Sequence, residues 1–263
     1  MREFSFDSDG VQLFGVEDGE GAAIVMLHGG MADHRAVLPL IAPLRDNYRV
    51  VAPDLRGSGR SWNSSALTFD VLVRDAEALL DHLDVEQVVL VGVSSGTGTA
   101  MKFALEHPGR LRGLVIVTPV YAGEDRGYTD QQTATFAMMD GLASRAIEEG
   151  VGVLRPLYAN LPAAIREKAM AMLEEFDPAS VVATSRFIAS GDQPFASVNM
   201  LKSIEVPSLL LRGDDPMHPA EVSDLYAAAL PNCYVYPPST HDVGGAISAF
   251  LDEAGLSSVP STR

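Results

Sequence analysis

The hydrophobic positions of this chain fall into two kinds of run. Ala23 to Leu27, Tyr48 to Ala52, Val88 to Val91, Leu114 to Val117 and Ser208 to Leu211 are short and dominated by aliphatic residues. Such runs predict strands buried on both faces. Between them the apolar residues recur at helical spacing. Thr68 to Leu83 places Val71, Leu72, Ala76, Leu79, Leu80 and Leu83 on one broad face, with Thr68 positioned as N-cap. Arg35 to Leu44, Glu221 to Leu230 and Gly244 to Leu251 also read as helices, and Tyr234 to Tyr236 as a short strand. At the N-terminus, Glu3 to Phe6 and Val11 to Gly15 flank Asp7-Ser8-Asp9-Gly10, a hairpin turned at Asp-Gly. Strands and helices that alternate with short links predict an α/β fold with a mostly parallel sheet covered on both sides.

The alternation stops between Val120 and about Glu205, where no strand pattern is present. Asp130 to Glu149, Ala163 to Phe176 and Ser180 to Ala189 read as helices, cut by Pro156, Pro162, Pro178 and Pro194. The segment is rich in Met and Phe, including Phe136, Met138, Met139 and Phe187. Most of these are expected to pack helix on helix. Some would line whatever lies beneath, because thioethers and rings suit an apolar ligand.

The strand at Val88 runs into Gly92-Val93-Ser94-Ser95-Gly96, and a helical pattern follows until His107-Pro108-Gly109. A serine in a sharp strand-to-helix turn needs small residues two positions away on each side, which Gly92 and Gly96 supply. The turn lifts the Ser94 hydroxyl off the sheet and aims the first free N–H groups of the helix beside it. A serine hydroxyl needs a base and a group to orient that base. In parallel sheets ligands gather beyond the carboxyl ends of the strands. Loops there hold Ser94, then Asp215 after Leu211, then His241 after Tyr236. Other histidines compete. His34 and His82 are expected to be solvated, and His107 to cap a helix end. His218 lies three residues after Asp215 and is the alternative facing the pocket. Asp214, Asp215 and His218 would be the ligand types for a cation, but the strand-end position accounts better for Asp215. No His/Cys cluster has zinc spacing, so no metal and no cofactor are expected.

His28-Gly29-Gly30, Asp54-Leu55-Arg56-Gly57-Ser58-Gly59-Arg60-Ser61, the Gly92 to Gly96 turn, Gly213-Asp214-Asp215 and the late His241 together resemble the α/β-hydrolase superfamily over nearly the whole chain. The resemblance implies an eight-stranded sheet, a core of residues 1–119 and 206–263, and a helical cap over 120–205. It implies Ser94 as nucleophile, His241 as base and Asp215 as acid, with the backbone N–H groups of Gly30 and Ser95 as oxyanion hole and His28 shaping that loop. Thr240 stands where the family more often has glycine. Met31, Phe136 and Met139 are the residues expected to touch substrate. Haloalkane dehalogenases and epoxide hydrolases of this fold carry Asp at the turn, so Ser94 points away from them. A carboxylic ester, or a lactone, of a small to medium and mainly apolar compound is the expected substrate. A thioester, the carbon–carbon bond of a β-diketone-like compound, or a receptor role with an intact triad are the alternatives.

Composition narrows the partners. The net charge of −16 disfavours nucleic acid and anionic membrane, both polyanions. The single Cys233 excludes an internal disulfide, and the N-terminus lacks the apolar core of a signal peptide. The expectation is a cytoplasmic monomer or homodimer acting on a small molecule.

Overall fold

The computed structural model describes residues 1–61, 67–159, 163–236 and 242–257. In chain order the elements are β1 (Arg2–Ser8), β2 (Val11–Asp18), β3 (Ala22–Leu27), α1 (Leu38–Ile41), β4 (Tyr48–Pro53), α2 (Phe69–His82), β5 (Val88–Val93), α3 (Gly96–Glu106) and β6 (Leu111–Val117). Four helices follow: α4 (Asp130–Ser144), α5 (Ala146–Glu149), α6 (Ala163–Leu173) and α7 (Pro178–Ala189). The chain then returns through β7 (Ser208–Leu211), α8 (Ala220–Ala229), β8 (Cys233–Tyr236) and α9 (Val243–Glu253).

The eight strands form one sheet in the order β1-β2-β4-β3-β5-β6-β7-β8. β1 and β2 form the predicted hairpin, with Asp9 and Gly10 both at positive φ in its turn. β2 also pairs antiparallel with β4, and the remaining neighbours are parallel. Alternate side chains of the central strands serve the two faces. In β3, Val25 and Leu27 join the cluster under α2, α3 and α8, while Ile24 and Met26 join the one under α1 and α9. In β5, Leu90 and Val91 divide the same way. This two-faced burial explains why these strands read as unbroken apolar runs.

Helix α2 begins where its sequence predicts. Thr68 is extended, and its side chain accepts from the Val71 N–H. The Arg35 to Leu44 pattern does not become one helix: a single 3₁₀ turn at His34–Ala36 precedes the four-residue α1. Pro178, expected to cut a helix, starts one instead. It occupies the first turn of α7, where its missing N–H costs nothing, and Asp177 accepts from the Ala179 and Ser180 N–H groups. Two 3₁₀ segments, Val151–Tyr158 and Val198–Ser203, lie outside the helices the pattern predicts.

The segment between β6 and β7 is helical, and two apolar clusters hold it. Met31 from the core meets Ala143, Leu154, Leu173 and Val181. Phe69, Val120 and Tyr121 meet Phe136 and Ile188. Polar ties accompany them: the Ser180 hydroxyl donates to the Gly57 carbonyl, and Gln132 Nε2 donates to the carbonyls of Val120 and Met217 at 2.8 and 3.0 Å. Among the described residues no helix is long and apolar enough to cross a membrane.

Candidate active site

The turn between β5 and α3 is set by steric necessity. A Cβ on Gly92 would stand 2.8 Å from the Gly96 carbonyl oxygen, and one on Gly96 would stand 2.5 and 2.6 Å from the carbonyl oxygens of Leu27 and His28. Only glycine lets α3 start this close to β3. Between the two glycines Ser94 has φ +52°, a left-handed conformation unusual for a residue with a side chain. Its N–H donates to the Val117 carbonyl at 2.9 Å, which fixes the turn to the end of β6.

The Ser94 hydroxyl lies 2.8 Å from Nε2 of His218. Nδ1 of the same ring lies 2.8 and 3.0 Å from the two Asp215 carboxylate oxygens. With a carboxylate at Nδ1, the proton sits there and is donated to Asp215, so Nε2 accepts from the Ser94 O–H. The β7–α8 loop holds this arrangement by local bonds. Asp215 Oδ1 accepts from the N–H groups of Met217 and His218 at 2.8 and 3.0 Å, and the loop folds back on Gly213, where a Cβ would stand 2.5 Å from His218 Cβ. Burial alone would raise the Asp215 carboxyl. The His218 ring and the two N–H groups outweigh it and hold the carboxyl below its usual value.

Of the residues expected from sequence, Ser94 and Asp215 are brought into one hydrogen-bonded chain. The imidazole joining them is His218, there read as the alternative. His241 lies outside the described residues. A local signal for His218 was present: an Asp and a His three apart, in Asp215-Pro216-Met217-His218-Pro219, form an Asx-type turn in which the carboxylate holds the backbone and ring of the same residue.

The second wall is the loop after β3. His28 is buried and serves structure. Its Nε2 accepts from the Leu55 N–H at 3.0 Å, so Nδ1 carries the proton and donates to the Gly29 carbonyl at 2.7 Å. Burial pushes this imidazole below its ordinary pKa, which keeps it neutral. The loop it braces puts Gly30 against Ser95, whose Oγ would lie 3.3 Å from a Cβ on Gly30. Among the described residues neither the Gly30 nor the Ser95 N–H has an acceptor.

Beside Gly30 and Ser95 lies a cavity of about 30 Å³, walled also by Gly29, Leu67, Thr184 and Ile188 among others, and lined by neither Ser94 nor His218. Met31, Phe136 and Met139 do not line it. Met31, at φ +48°, points into the packing of the helical segment, and Phe136 packs beside Tyr128 with ring centroids 5.0 Å apart. Three larger clefts, about 750, 510 and 460 Å³, lie beside α8, beside the end of β2 and beside α3, and are not lined by Ser94, His218, Gly30 or Ser95.

The polar residues of the Asp54–Ser61 loop support the site from below. Arg56 makes a buried ion pair with Asp75 at 2.6 Å. Asp54 accepts from the His34 N–H and ring and from the Arg60 N–H, at 2.7 to 2.8 Å. His34 is therefore engaged, a correction to its expected solvation; His82 is exposed and stacks on Phe4. Asp33, His34 and Asp54 place three ligand-type atoms within 4.8 Å, but protein donors occupy them, since Asp33 is bound by Arg35.

Comparison with known proteins decides the family. A sequence profile described as the alpha/beta hydrolase fold matches residues 22–244. The chain belongs to the α/β-hydrolase family. It is 38% identical over 109 residues to a 2-hydroxymuconate semialdehyde hydrolase of Pseudomonas sp. (strain CF600), a stretch covering 38% of this chain and 38% of that protein. It is 27% identical over 241 residues to a putative non-heme chloroperoxidase of Synechocystis sp., covering 84% of this chain and 83% of that one. The chain thus matches well under half the length of the first of these curated relatives. Among solved structures, a thermophilic esterase from Thermogutta terrifontis superposes with a TM-score of 0.79 at 23% identity, over 97% of this α/β-hydrolase and 99% of that chain. That likeness carries the fold.

Proposed function

We propose that this α/β-hydrolase is a serine hydrolase that cleaves a carboxylic ester, or a lactone, of a small to medium and mainly apolar substrate through an acyl-enzyme. The observation that carries the reading is the hydrogen-bonded chain Ser94–His218–Asp215. His218 Nε2 takes the Ser94 proton as the oxygen attacks the acyl carbon. The Gly30 and Ser95 N–H groups hold the resulting oxyanion. His218 then gives the proton to the leaving oxygen, and a water repeats the sequence in reverse to release the acid. Asp215, kept ionised by its donors, stabilises the imidazolium and fixes its tautomer. Residues 120–205 act as the cap over this chemistry. The charge and the lone Cys233 fit a cytoplasmic setting.

His241, placed after the last strand, is the competing base. The test is turnover of short aryl esters by S94A, H218A and H241A, each checked for an unchanged melting temperature. S94A is expected to lose about 10⁴-fold or more in kcat, and H218A about 10³-fold or more, while H241A retains most activity. An S94A enzyme within tenfold of wild type sinks the serine mechanism. Collapse of H241A with H218A intact moves the base to His241 and leaves Ser94 as nucleophile. A second reading, hydrolysis of a carbon–carbon bond in a β-diketone-like compound, draws on the match to the semialdehyde hydrolase. Cleavage of such a compound at a higher kcat/KM than any ester favours it. A single slow acylation without turnover favours a receptor.

A further inference from the structure

We propose that Gln132, in the first turn of helix α4, is a positioning residue for the reaction: its side-chain amide ties the turn that carries His218 to the exit of β6, so that Nε2 of the ring meets the Ser94 hydroxyl. The inference rests on the serine-hydrolase reading above, with His218 as base. It goes beyond that reading in making the helical segment part of the catalytic apparatus.

The bonds of Gln132 leave one orientation for its amide. The residue is fully buried. Its Oε1 accepts from the Thr129 N–H at 3.1 Å, and its own N–H donates to Thr129 Oγ1 at 3.1 Å. These two bonds form the capping box that starts α4. Nε2 donates to the Val120 carbonyl at 2.8 Å and to the Met217 carbonyl at 3.0 Å. An amide turned the other way would set an oxygen against both carbonyls. A capping box needs only the oxygen, so the two Nε2 bonds exceed what the helix start requires.

The two carbonyls belong to opposite sides of the site. Val120 follows shortly after Val117, whose carbonyl accepts from the Ser94 N–H. The Met217 carbonyl is one end of the peptide unit that leads into His218. The other end, the His218 N–H, donates to Asp215 Oδ1 at 3.0 Å. The unit is planar, so bonds at both polar ends fix its plane and the direction in which His218 leaves it. Pro219 follows at φ −61°, and a proline restricts the backbone of the residue before it.

Little else holds the turn. Asp214, Asp215 and Pro216 are exposed. Among the described residues, Ser94 and Gln132 are the side chains from outside 212–224 that hydrogen-bond residues 214–218. The Met217 side chain adds packing against the cluster of Phe69, Val120, Tyr121, Phe136 and Ile188. Loss of the Gln132 donors frees the Met217 carbonyl to turn with its peptide and carry the imidazole with it. Displacement of a base by about 1 Å costs on the order of 100-fold.

The experiment follows two quantities in wild type, Q132M and Q132E. One is kcat for p-nitrophenyl acetate. The other is sulfonylation of Ser94 by phenylmethylsulfonyl fluoride, read by mass as a second-order rate constant and a final extent. Q132M keeps the length without the donors, and Q132E keeps the acceptor for Thr129 while setting an oxygen against the two carbonyls. Both are expected to reach the wild-type extent of labelling, with the rate constant and kcat each at least tenfold lower. Q132N keeps the amide one methylene short. It is expected to lose less, and it decides the matter if the other two do not fold. A merely structural role would lower the melting temperature and the extent of labelling but not the rate constant of the molecules that remain active. A rate constant within twofold of wild type in every folded variant therefore overturns the assignment while the hydrolase reading stands. Wild-type labelling rates in H218A overturn His218 as base and the role of Gln132 with it. Absence of both turnover and labelling in wild type overturns the hydrolase reading itself.

Discussion

The turn that carries Ser94 and the helix that carries Ile188 border the same small space but are built on opposite plans. At Ser94 the backbone does the positioning. Gly92 and Gly96 are pressed against carbonyls of the chain, and the hydroxyl points where it does because the main chain has no other course. At Ile188 the side chains do it. Helix α7 is attached by one hydroxyl, one tyrosine and two apolar clusters, and what it presents to Gly30 depends on which residue stands at position 188. The first plan tolerates almost no substitution, and the second tolerates many. The two parts of the molecule should therefore respond differently to mutation.

G96A probes the first plan most sharply. Its new Cβ meets two β3 carbonyl oxygens inside 3.0 Å, so α3 must shift. Displacement of a reacting group by about 1 Å costs on the order of 100-fold, and kcat/KM should fall by about that factor for every ester alike. Circular dichroism melting should show a loss of roughly 3–10 °C. If G96A instead left turnover of every ester unchanged, the steric account of this turn would be wrong.

D54N tests the loop between the two regions. Burial would raise the Asp54 carboxyl, but the His34 ring and the N–H groups of His34 and Arg60 hold it below the usual range. Because the folded value lies under the unfolded one, its stabilising contribution is full above about pH 4 and is lost as pH falls through the folded value. At pH 7 D54N should melt several degrees below wild type, and the gap should narrow below pH 4. A gap independent of pH would mean that shape, and not charge, explains the residue.

S180A should give the smallest effect. Loss of the Ser180 to Gly57 bond removes about 1 kcal/mol, or roughly 2–4 °C in Tm. Ester turnover should stay within about twofold of wild type. A larger loss on all esters would show that the tether serves the reacting groups themselves.

The same division explains how much could be read from the sequence. Features fixed by local backbone constraints were legible: the Asp9-Gly10 turn, the Thr68 cap, the two-sided strands, and the Gly-x-Ser-x-Gly turn with its strand before and helix after. Features that depend on which side chains meet across the fold were not. His34 bonds Asp54 from twenty residues away. His218 reaches Ser94 across 124 positions, and no periodicity encodes that approach. Pro178 illustrates a local ambiguity, since proline ends one helix and begins another by the same fixed φ. Met31 and Phe136 pack among the helices between β6 and β7, contacts that no local pattern in the sequence specifies.

The left-handed backbone at position 94 has a consequence of its own. A residue bearing a Cβ there is disfavoured by about 1 kcal/mol or more relative to glycine. A chain with no use for that hydroxyl would gain robustness by giving it up, and a mutation to glycine lies within one base change of some serine codons. Replacement of Ser94 by glycine would therefore relieve strain in the turn while removing the hydroxyl.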